Sequence, residues 1–321
     1  MVLGFEDDMI ISASRRTDIP TYYSEWFLKR IKAGYVYVRN PMNPHQISQI
    51  NLSPEVVDGI VFWTKNPSPM LDRLVELNDY MYYFQFTLNS YGVDVEENIP
   101  NKSKVIIPAF QRLSDSIGPD RVIWRYDPIF LSRLYTVDYH IRYFEELAKR
   151  LSPYTRKCTI SFLDLYRNTE KNIAILAPDK FSVERQTQLA KTIAKIAHSY
   201  GLRIDTCAEE IDLSQYGIEH AKCIDDCLFS QLLQCPLEIK KDKNQRLGCG
   251  CAESVDIGAY NTCQNGCKYC YANYSSKAVY MSSKNHDPDS PLLIGEVGAD
   301  DEIKERKMFS YKTDQIQLSL L

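Results

Sequence analysis

Cys263, Cys267 and Cys270 stand in the run Tyr-Asn-Thr-Cys-Gln-Asn-Gly-Cys-Lys-Tyr-Cys-Tyr-Ala-Asn, a Cys-x3-Cys-x2-Cys triplet with Tyr269 just before its last member. Three thiolates so spaced can hold three corners of a 4Fe-4S cubane and leave the fourth iron open to a non-protein ligand. A structural zinc site normally closes with four ligands, usually as two Cys-x2-Cys pairs, so an isolated triplet argues first for the open cluster. Upstream lie Cys249-x-Cys251, Cys207 at the end of a strand-like run, and Cys223, which opens Cys-Ile-Asp-Asp-Cys. Four thiolates drawn from these make a fully ligated second 4Fe-4S cluster or a closed zinc site, with Cys227 and Cys235 as weaker candidates. The i, i+4 spacing of Cys223 and Cys227 equally suits two small buried residues on one helix face.

The chain has 321 residues, of which 44% are hydrophobic and 25% charged, and ten are cysteines. That composition suits one main globular domain with an appendage and excludes disordered and fibrous classes. The N-terminal residues lack a basic region followed by an apolar stretch, and no apolar run approaches the roughly 20 residues of a membrane-spanning helix. A cytoplasmic protein with no membrane partner is therefore expected. In a reducing compartment its cysteines are better metal ligands than disulfide partners. A net charge of -4 gives no global attraction for nucleic acid, although Arg15-Arg16, Lys29-Arg30-x-Lys32 and Lys240-Lys241-x-Lys243 could form local basic patches.

The elements that must position these thiols alternate along the chain. Strand-like runs fall at Met9–Ser14, Tyr35–Arg39, Gly59–Thr64, Met81–Leu88, Arg121–Arg125, Lys157–Leu163 and Leu202–Cys207, with Ser254–Tyr260 leading straight into the triplet. Helical patterns lie between them: Tyr22–Lys32, Pro69–Leu77 after Ser68 as cap, and Val183–Tyr200, ended by Gly201. A cluster helix is expected over Tyr271–Tyr280. About eight βα units predict an α/β fold, a TIM-barrel-like (β/α)8 or partial barrel, with the cysteine loop after the last strand.

Chemistry in such barrels sits at the carboxyl ends of the strands. Those ends are polar here: Ser14 through Asp18, Arg39-Asn40, Thr64-Lys65-Asn66, Thr87-x-Asn89, Arg125-x-Asp127, Asp164, and Asp205-x-Cys207-x-Glu209. Arg15, Arg16, Lys65 and Arg125 are candidates to bind an anionic substrate or cofactor carboxylate, and Asp18, Asp127 and Glu209 to accept from hydroxyl or amino groups. Ser14, Thr17 and Asn66 are candidate cofactor contacts. Singly, any of these is as readily a helix cap or an inter-strand ion pair.

The triplet and its aromatic resemble the signature of radical S-adenosylmethionine (SAM) enzymes. The resemblance implies that SAM chelates the open iron, that Tyr269 packs near the adenine, and that one electron from a flavodoxin- or ferredoxin-type donor cleaves SAM to a 5′-deoxyadenosyl radical. Enzymes of that kind carry the loop after their first strand, whereas here it falls after roughly four-fifths of the chain. A circular permutation explains this: the barrel opens after its first βα unit, and the cluster strand, now last, pairs beside Met9–Ser14. The Gly-Gly-Glu motif common after the second strand of that superfamily is missing, and Ser14-Arg15-Arg16-Thr17-Asp18 takes its place.

A second resemblance covers nearly the whole chain. Ile-Ser-Ala-Ser-Arg-Arg-Thr-Asp-Ile-Pro (11–20), Val-Arg-Asn-Pro (38–41), Val-Phe-Trp-Thr-Lys-Asn-Pro (61–67), Phe-Gln-Phe-Thr-Leu (84–88), Trp-Arg-Tyr-Asp-Pro (124–128), Cys249-Gly-Cys251 and Asp-Ile-Gly-Ala-Tyr-Asn-Thr-Cys (256–263) together resemble a bacterial family, domain of unknown function 1848. Membership implies a C-terminal radical-SAM-like cysteine cluster and selects Cys207, Cys223, Cys249 and Cys251 as the second set.

The chain divides at the sequence level into a barrel over 1–280, with its cysteines at about 207–270, and an extension over 281–321. His286 to Gly295 has turn-forming composition, and polar Asp300–Lys307 reads as a linker. Gln317-Leu318-Ser319-Leu320-Leu321 resembles the peptide with which replication and repair proteins dock on the DNA sliding clamp. The leading expectation is a radical SAM enzyme linked to DNA repair or nucleotide modification. The alternative is a non-catalytic or redox-sensing Fe–S or zinc protein brought to DNA by this tail.

Overall fold

The period-two alternation of strand side chains places an apolar core on each face of the main sheet. The computed structural model describes residues 10–164, 170–237, 239–246, 248–308 and 310–312. Its strands are β1 (Ile10–Ala13), β2 (Tyr35–Arg39), β3 (Gln46–Asn51), β4 (Gly59–Thr64), β5 (Tyr82–Thr87), β6 (Val122–Ile129), β7 (Lys157–Phe162), β8 (Arg203–Thr206), β9 (Ile218–His220), β10 (Val255–Asp256) and β11 (Glu302–Glu305). Its α-helices are α1 (Ile19–Tyr22), α2 (Ser24–Ala33), α3 (Ser68–Leu71), α4 (Ile107–Ile117), α5 (Val137–Leu151), α6 (Glu170–Ala174), α7 (Val183–Ser199), α8 (Asp226–Leu233) and α9 (Ser276–Lys284).

Eight strands form one sheet in the order β10-β1-β4-β5-β6-β7-β8-β9, with every neighbouring pair parallel. The strand β10, which leads into the cysteine triplet, pairs beside β1, Ile11 opposite Val255 and Ser12 opposite Asp256. Parallel neighbours need crossover connections, and helices supply most of them. Ile11, Ile60, Phe62, Phe84, Trp124 and Ile160 face those helices in the larger core, with Trp26, Phe27, Phe110, Phe144 and Ile193. The alternate positions Ile10, Val61, Tyr83 and Ile123 belong to a second core with Cys223, Ile224, Phe229, Cys249 and Cys251. The segment 223–252 therefore covers the face of the sheet turned away from the helical layer.

Above this apolar layer the same face turns polar. Arg125, Thr159 and Asp205 stand side by side in register, all buried. Thr159 donates to Asp205 at 2.6 Å, and Lys157 pairs with Asp205 at 2.8 Å.

Several expectations need correction. Tyr35–Arg39 is a strand, but β2 joins a separate three-stranded sheet, β11-β3-β2, and the main sheet takes β9 instead. A Tyr-Val-Tyr-Val run specifies extension, not which partner it meets. The expected linker Asp300–Lys307 contains β11, whose four side chains are exposed and which holds β3 by parallel backbone pairing. The Tyr271–Tyr280 helix begins only at α9, where Ser275 caps Ala278 N–H. Tyr22–Lys32 splits into α1 and α2, and Pro69–Leu77 into α3 and a 3-10 turn over Leu74–Leu77. Val183–Tyr200 stands as α7, capped by Ser182 at Arg185 N–H. The tail Gln317–Leu321 lies outside the described residues. No helix among those described is long and apolar enough to cross a membrane.

Gly59 marks the closest approach between the sheet and the segment that covers it, since a Cβ there would stand 2.1 Å from Phe229 Cε1. Gly59→Ala should cost about 1–3 kcal/mol by forcing that ring aside, read as a lower urea midpoint. His140, fully buried, contacts Tyr126 Oη through Nδ1 and the Phe130 carbonyl through Nε2, each at 2.8 Å. Burial pushes its imidazole down to about 4 from the ordinary 6.5. A depressed folded value means this group's contribution is complete above pH 6.5 and lost as pH falls through 4. Wild type should lose about 3 kcal/mol over that window relative to His140→Gln, measured as urea unfolding against pH.

Candidate metal centre

All seven thiols of the two expected sets line one cleft of about 460 Å³ at the carboxyl ends of the strands: Cys207, Cys223, Cys249, Cys251, Cys263, Cys267 and Cys270. Cys158 is instead a core residue of β7, and Cys227 is exposed on α8.

The triplet loop hangs from Asp256 at the end of β10. Its carboxylate accepts from Ser12 Oγ (2.7 Å), Ser14 Oγ (2.7 Å), Arg15 N (2.8 Å) and Gly258 N (3.0 Å), so it ties the end of β1 to the start of the loop. Gly258 is obligatory there, because a Cβ would lie 2.1 Å from Ser14 Oγ. Further along, Asn265 donates to Asp18 (3.1 Å) and accepts from Tyr22 Oη (2.8 Å), while Tyr23 Oη donates to the Thr262 carbonyl (2.6 Å). On the other side Lys268 N donates to Val95 O (2.9 Å) and Asn98 N to Asn265 O (3.1 Å). Gly266 turns between them at φ 68°, a left-handed conformation that glycine adopts without strain.

The second set is built by the covering segment. Tyr83 Oη and Gln85 Nε2 both donate to the Cys223 carbonyl, at 2.7 and 2.8 Å. Cys251 Sγ accepts from the backbone N–H of Cys223 (3.2 Å) and of Ile224 (3.5 Å). Cys207 and Cys223 stand 3.2 Å apart at sulfur, and Arg125 Nη1 donates to Cys223 at 2.9 Å. Contacts from Cys207 and Cys251, helped by Arg125 and opposed by burial, push the Cys223 thiol far down. The Cys251 contact brings Cys249 down to about 6. Contacts with Cys223 and burial push Cys207 and Cys251 up instead, and burial pushes Cys263, Cys267 and Cys270 up, so that ligation of a metal would require these five to give up a firmly held proton.

Zinc with Zn–S bonds of about 2.3 Å would draw its sulfurs to roughly 3.8 Å from one another. Among the described residues no three cysteine sulfurs lie mutually within 4.8 Å; Asp225, Asp226 and Cys227 alone meet that criterion. Asp225 caps α8 and Asp226 pairs with Lys222, which accounts for those carboxylates without a metal. A cubane, in which each thiolate would take a different iron, does not require so close a set. Beside the triplet, Thr17 Oγ1 and Arg15 Nε are buried without a hydrogen-bond partner, and both residues line the cleft. Buried polar groups normally have partners, so these two suit a bound polar ligand.

Of the other expected site residues, Ser14, Arg16, Asp18, Lys65, Arg125, Asp127 and Tyr269 line the cleft. Arg125 pairs with Asp127, which also accepts from Ser161. Asn66 lies outside the lining and accepts from Ser68 N and Oγ, and Glu209, also outside it, accepts from Phe162 N at 2.8 Å. Burial raises the Glu209 carboxyl to about 7. Arg39 and Asn40 end a strand of the small sheet, where they bond Asp301 and Gln46. Glu96 escaped sequence reasoning because it sits in an irregular stretch with no motif. It is 2% exposed and binds Lys65 (2.7 Å), Lys102 and Tyr269 Oη. Burial works against its charge, but the two ammonium groups hold its carboxyl down to about 2.

Asp256→Ala removes the acceptor of four hydrogen bonds at the strand–loop junction. It should cost about 3 kcal/mol or more in urea unfolding and should speed alkylation of Cys263, Cys267 and Cys270, followed by mass spectrometry.

No curated protein matches the chain. A family model described as Domain of unknown function (DUF1848) matches residues 10–272. That span includes β1 through β10, both cysteine sets and the residues that hold them. The chain therefore belongs to the DUF1848 family.

Proposed function

We propose that this protein is an iron–sulfur enzyme of the radical SAM type, built on a permuted barrel-like α/β sheet. Cys263, Cys267 and Cys270 would hold an open 4Fe-4S cluster, and Cys207, Cys223, Cys249 and Cys251 a second, fully ligated cluster or a zinc ion. The observation that carries this reading is the convergence of both thiol sets on one cleft that also holds the orphaned donors Thr17 Oγ1 and Arg15 Nε. Bound SAM at a reduced open cluster would supply reductive carbon–sulfur cleavage and hence a strong hydrogen-atom abstractor.

The chain's own residues bind, orient and shield. Arg15 and Thr17 offer donors to a carboxylate, while Asp18, already committed to Thr21 N–H, Lys65 N–H and Asn265, holds the loop in place rather than meeting a ligand. Lys65, largely buried beside Glu96 and Tyr269, sets a positive charge beside Cys267 and favours the more reduced, more negative state of whatever that thiolate holds. Arg125 does the same for Cys223. Trp63 and Phe162 line the cleft and help exclude water from it. Electrons would come from a flavodoxin- or ferredoxin-type donor, in a cytoplasm reducing enough to keep the thiols free.

Anaerobic reconstitution should load about eight irons per chain if both sets hold cubanes, and about four if the second holds zinc. With dithionite and SAM the product 5′-deoxyadenosine should accumulate, and Cys267→Ala should abolish it while keeping the metal of the second set. A brown protein that makes no product would leave a redox-sensing role, and a colourless protein with stoichiometric zinc would overturn the proposal.

A further inference from the structure

A file of tyrosines runs from the cysteine loop to solvent. Tyr269 lines the cleft and faces Tyr91 at 6.2 Å between ring centroids; Tyr91 meets Tyr135 at 4.9 Å, Tyr135 meets Tyr139 at 5.0 Å, and Tyr139 meets Tyr143 at 4.4 Å. Tyr143 ends the file at 38% exposure. The inner members form a small core of their own with Val95 and Phe130.

Packing alone does not call for phenols here. Phe130 stacks on Tyr91 at 4.7 Å in the same cluster, so phenylalanine fits, and each hydroxyl taken inward must find a partner or cost stability. Every inner hydroxyl has found a hydrogen-bond acceptor: Tyr269 donates to Glu96, Tyr91 to Pro128 O (2.8 Å), Tyr135 to Asp94 (2.7 Å) and Tyr139 to Ser90 O (2.8 Å). A phenol gives up an electron readily only when its proton has somewhere to go, and Glu96 and Asp94 are carboxylates within hydrogen-bond reach of Tyr269 and Tyr135.

We propose that this file conducts a one-electron oxidation from the cleft to the surface, protecting the site when a radical formed there misses its substrate. It rests on the radical reading of the cleft for its purpose, not for its operation. A carbon- or oxygen-centred radical takes the hydrogen atom of Tyr269 Oη, so a new bond to hydrogen forms, the phenolic O–H breaks and a Tyr269 phenoxyl remains. An electron from Tyr135, with Tyr91 as the bridge between the rings, restores Tyr269, which takes a proton from the Lys65 ammonium that donates to its Oη, while the Tyr135 proton passes to Asp94. Tyr139, partly exposed, next gives its electron to Tyr135 and its proton to water, Tyr135 taking its own proton back from Asp94; Tyr143 repeats the exchange with Tyr139 and is left as the phenoxyl, and water returns the proton that Lys65 gave up. There a water-soluble thiol gives up its hydrogen atom, regenerating the phenol and leaving a thiyl radical in solution.

The test runs the file inward and needs neither iron nor SAM, so its failure is distinct from failure of SAM cleavage. 3-Aminotyrosine, more easily oxidised than tyrosine, is placed at position 269 of the full chain, and surface tyrosines are oxidised by flash-quenched ruthenium tris-bipyridine with persulfate. The aminotyrosyl radical should appear by electron paramagnetic resonance (EPR), fall at least tenfold in Tyr135→Phe and in Tyr139→Phe, and persist in Tyr139→Trp, whose indole is itself oxidisable. Absence of the signal in the otherwise intact chain, equal signals in the phenylalanine variants, or its loss in Tyr139→Trp as well would each overturn the relay.

Discussion

One carboxylate joins the first and last strands, in chain order, of the main sheet. Asp256 accepts from Ser12 and Ser14, residues 244 and 242 positions away in sequence, and so fixes β10 at the edge of β1 with its loop directed over the strand ends. The two-residue strand has too few backbone bonds to hold itself, and the side-chain contacts supply what it lacks. From that junction the remaining contacts of the triplet follow: Asn265 on Asp18, Tyr23 on Thr262, Lys268 on Val95.

The second constraint is the covering of the inner face. Strand residues of even pleat put Ile10, Val61, Tyr83 and Ile123 against Phe229 and Ile224, and this apolar layer seats the segment that carries Cys223, Cys249 and Cys251. One turn of the pleat higher, the face becomes polar and meets those thiols with Arg125 and Gln85. A buried guanidinium is costly without a partner, and Asp127 with the Cys223 sulfur provides two. Thiolate charge at Cys223 and positive charge at Arg125 thus stabilise each other.

Cysteine spacing makes much of the site legible in the chain itself. The seven thiols that line the cleft are the seven that motif and resemblance select, and the strand-end rule locates Arg15, Thr17, Asp18, Lys65 and Arg125 beside them. Hydrophobic runs mark seven of the eight strands of the main sheet, but β9, three residues reading Ile-Glu-His, carries no such run. The place of β2 was illegible because alternation fixes a face, not a neighbour. The polar strand β11 was hidden because backbone pairing leaves no mark on side chains that all face solvent. Glu96, Asp256 and Asn265 matter through contacts with residues distant in sequence, which residue type and local pattern do not reveal.

The central claim is that the triplet holds an iron with a coordination position free for SAM. Mössbauer spectroscopy of the anaerobic, iron-57-loaded protein tests it most directly. The account predicts one iron of the triplet's cluster with parameters distinct from the other three, shifting when SAM is added and unchanged when an equal amount of methionine-free adenosine is added. Four equivalent, SAM-insensitive irons, or no iron at the triplet, would contradict it.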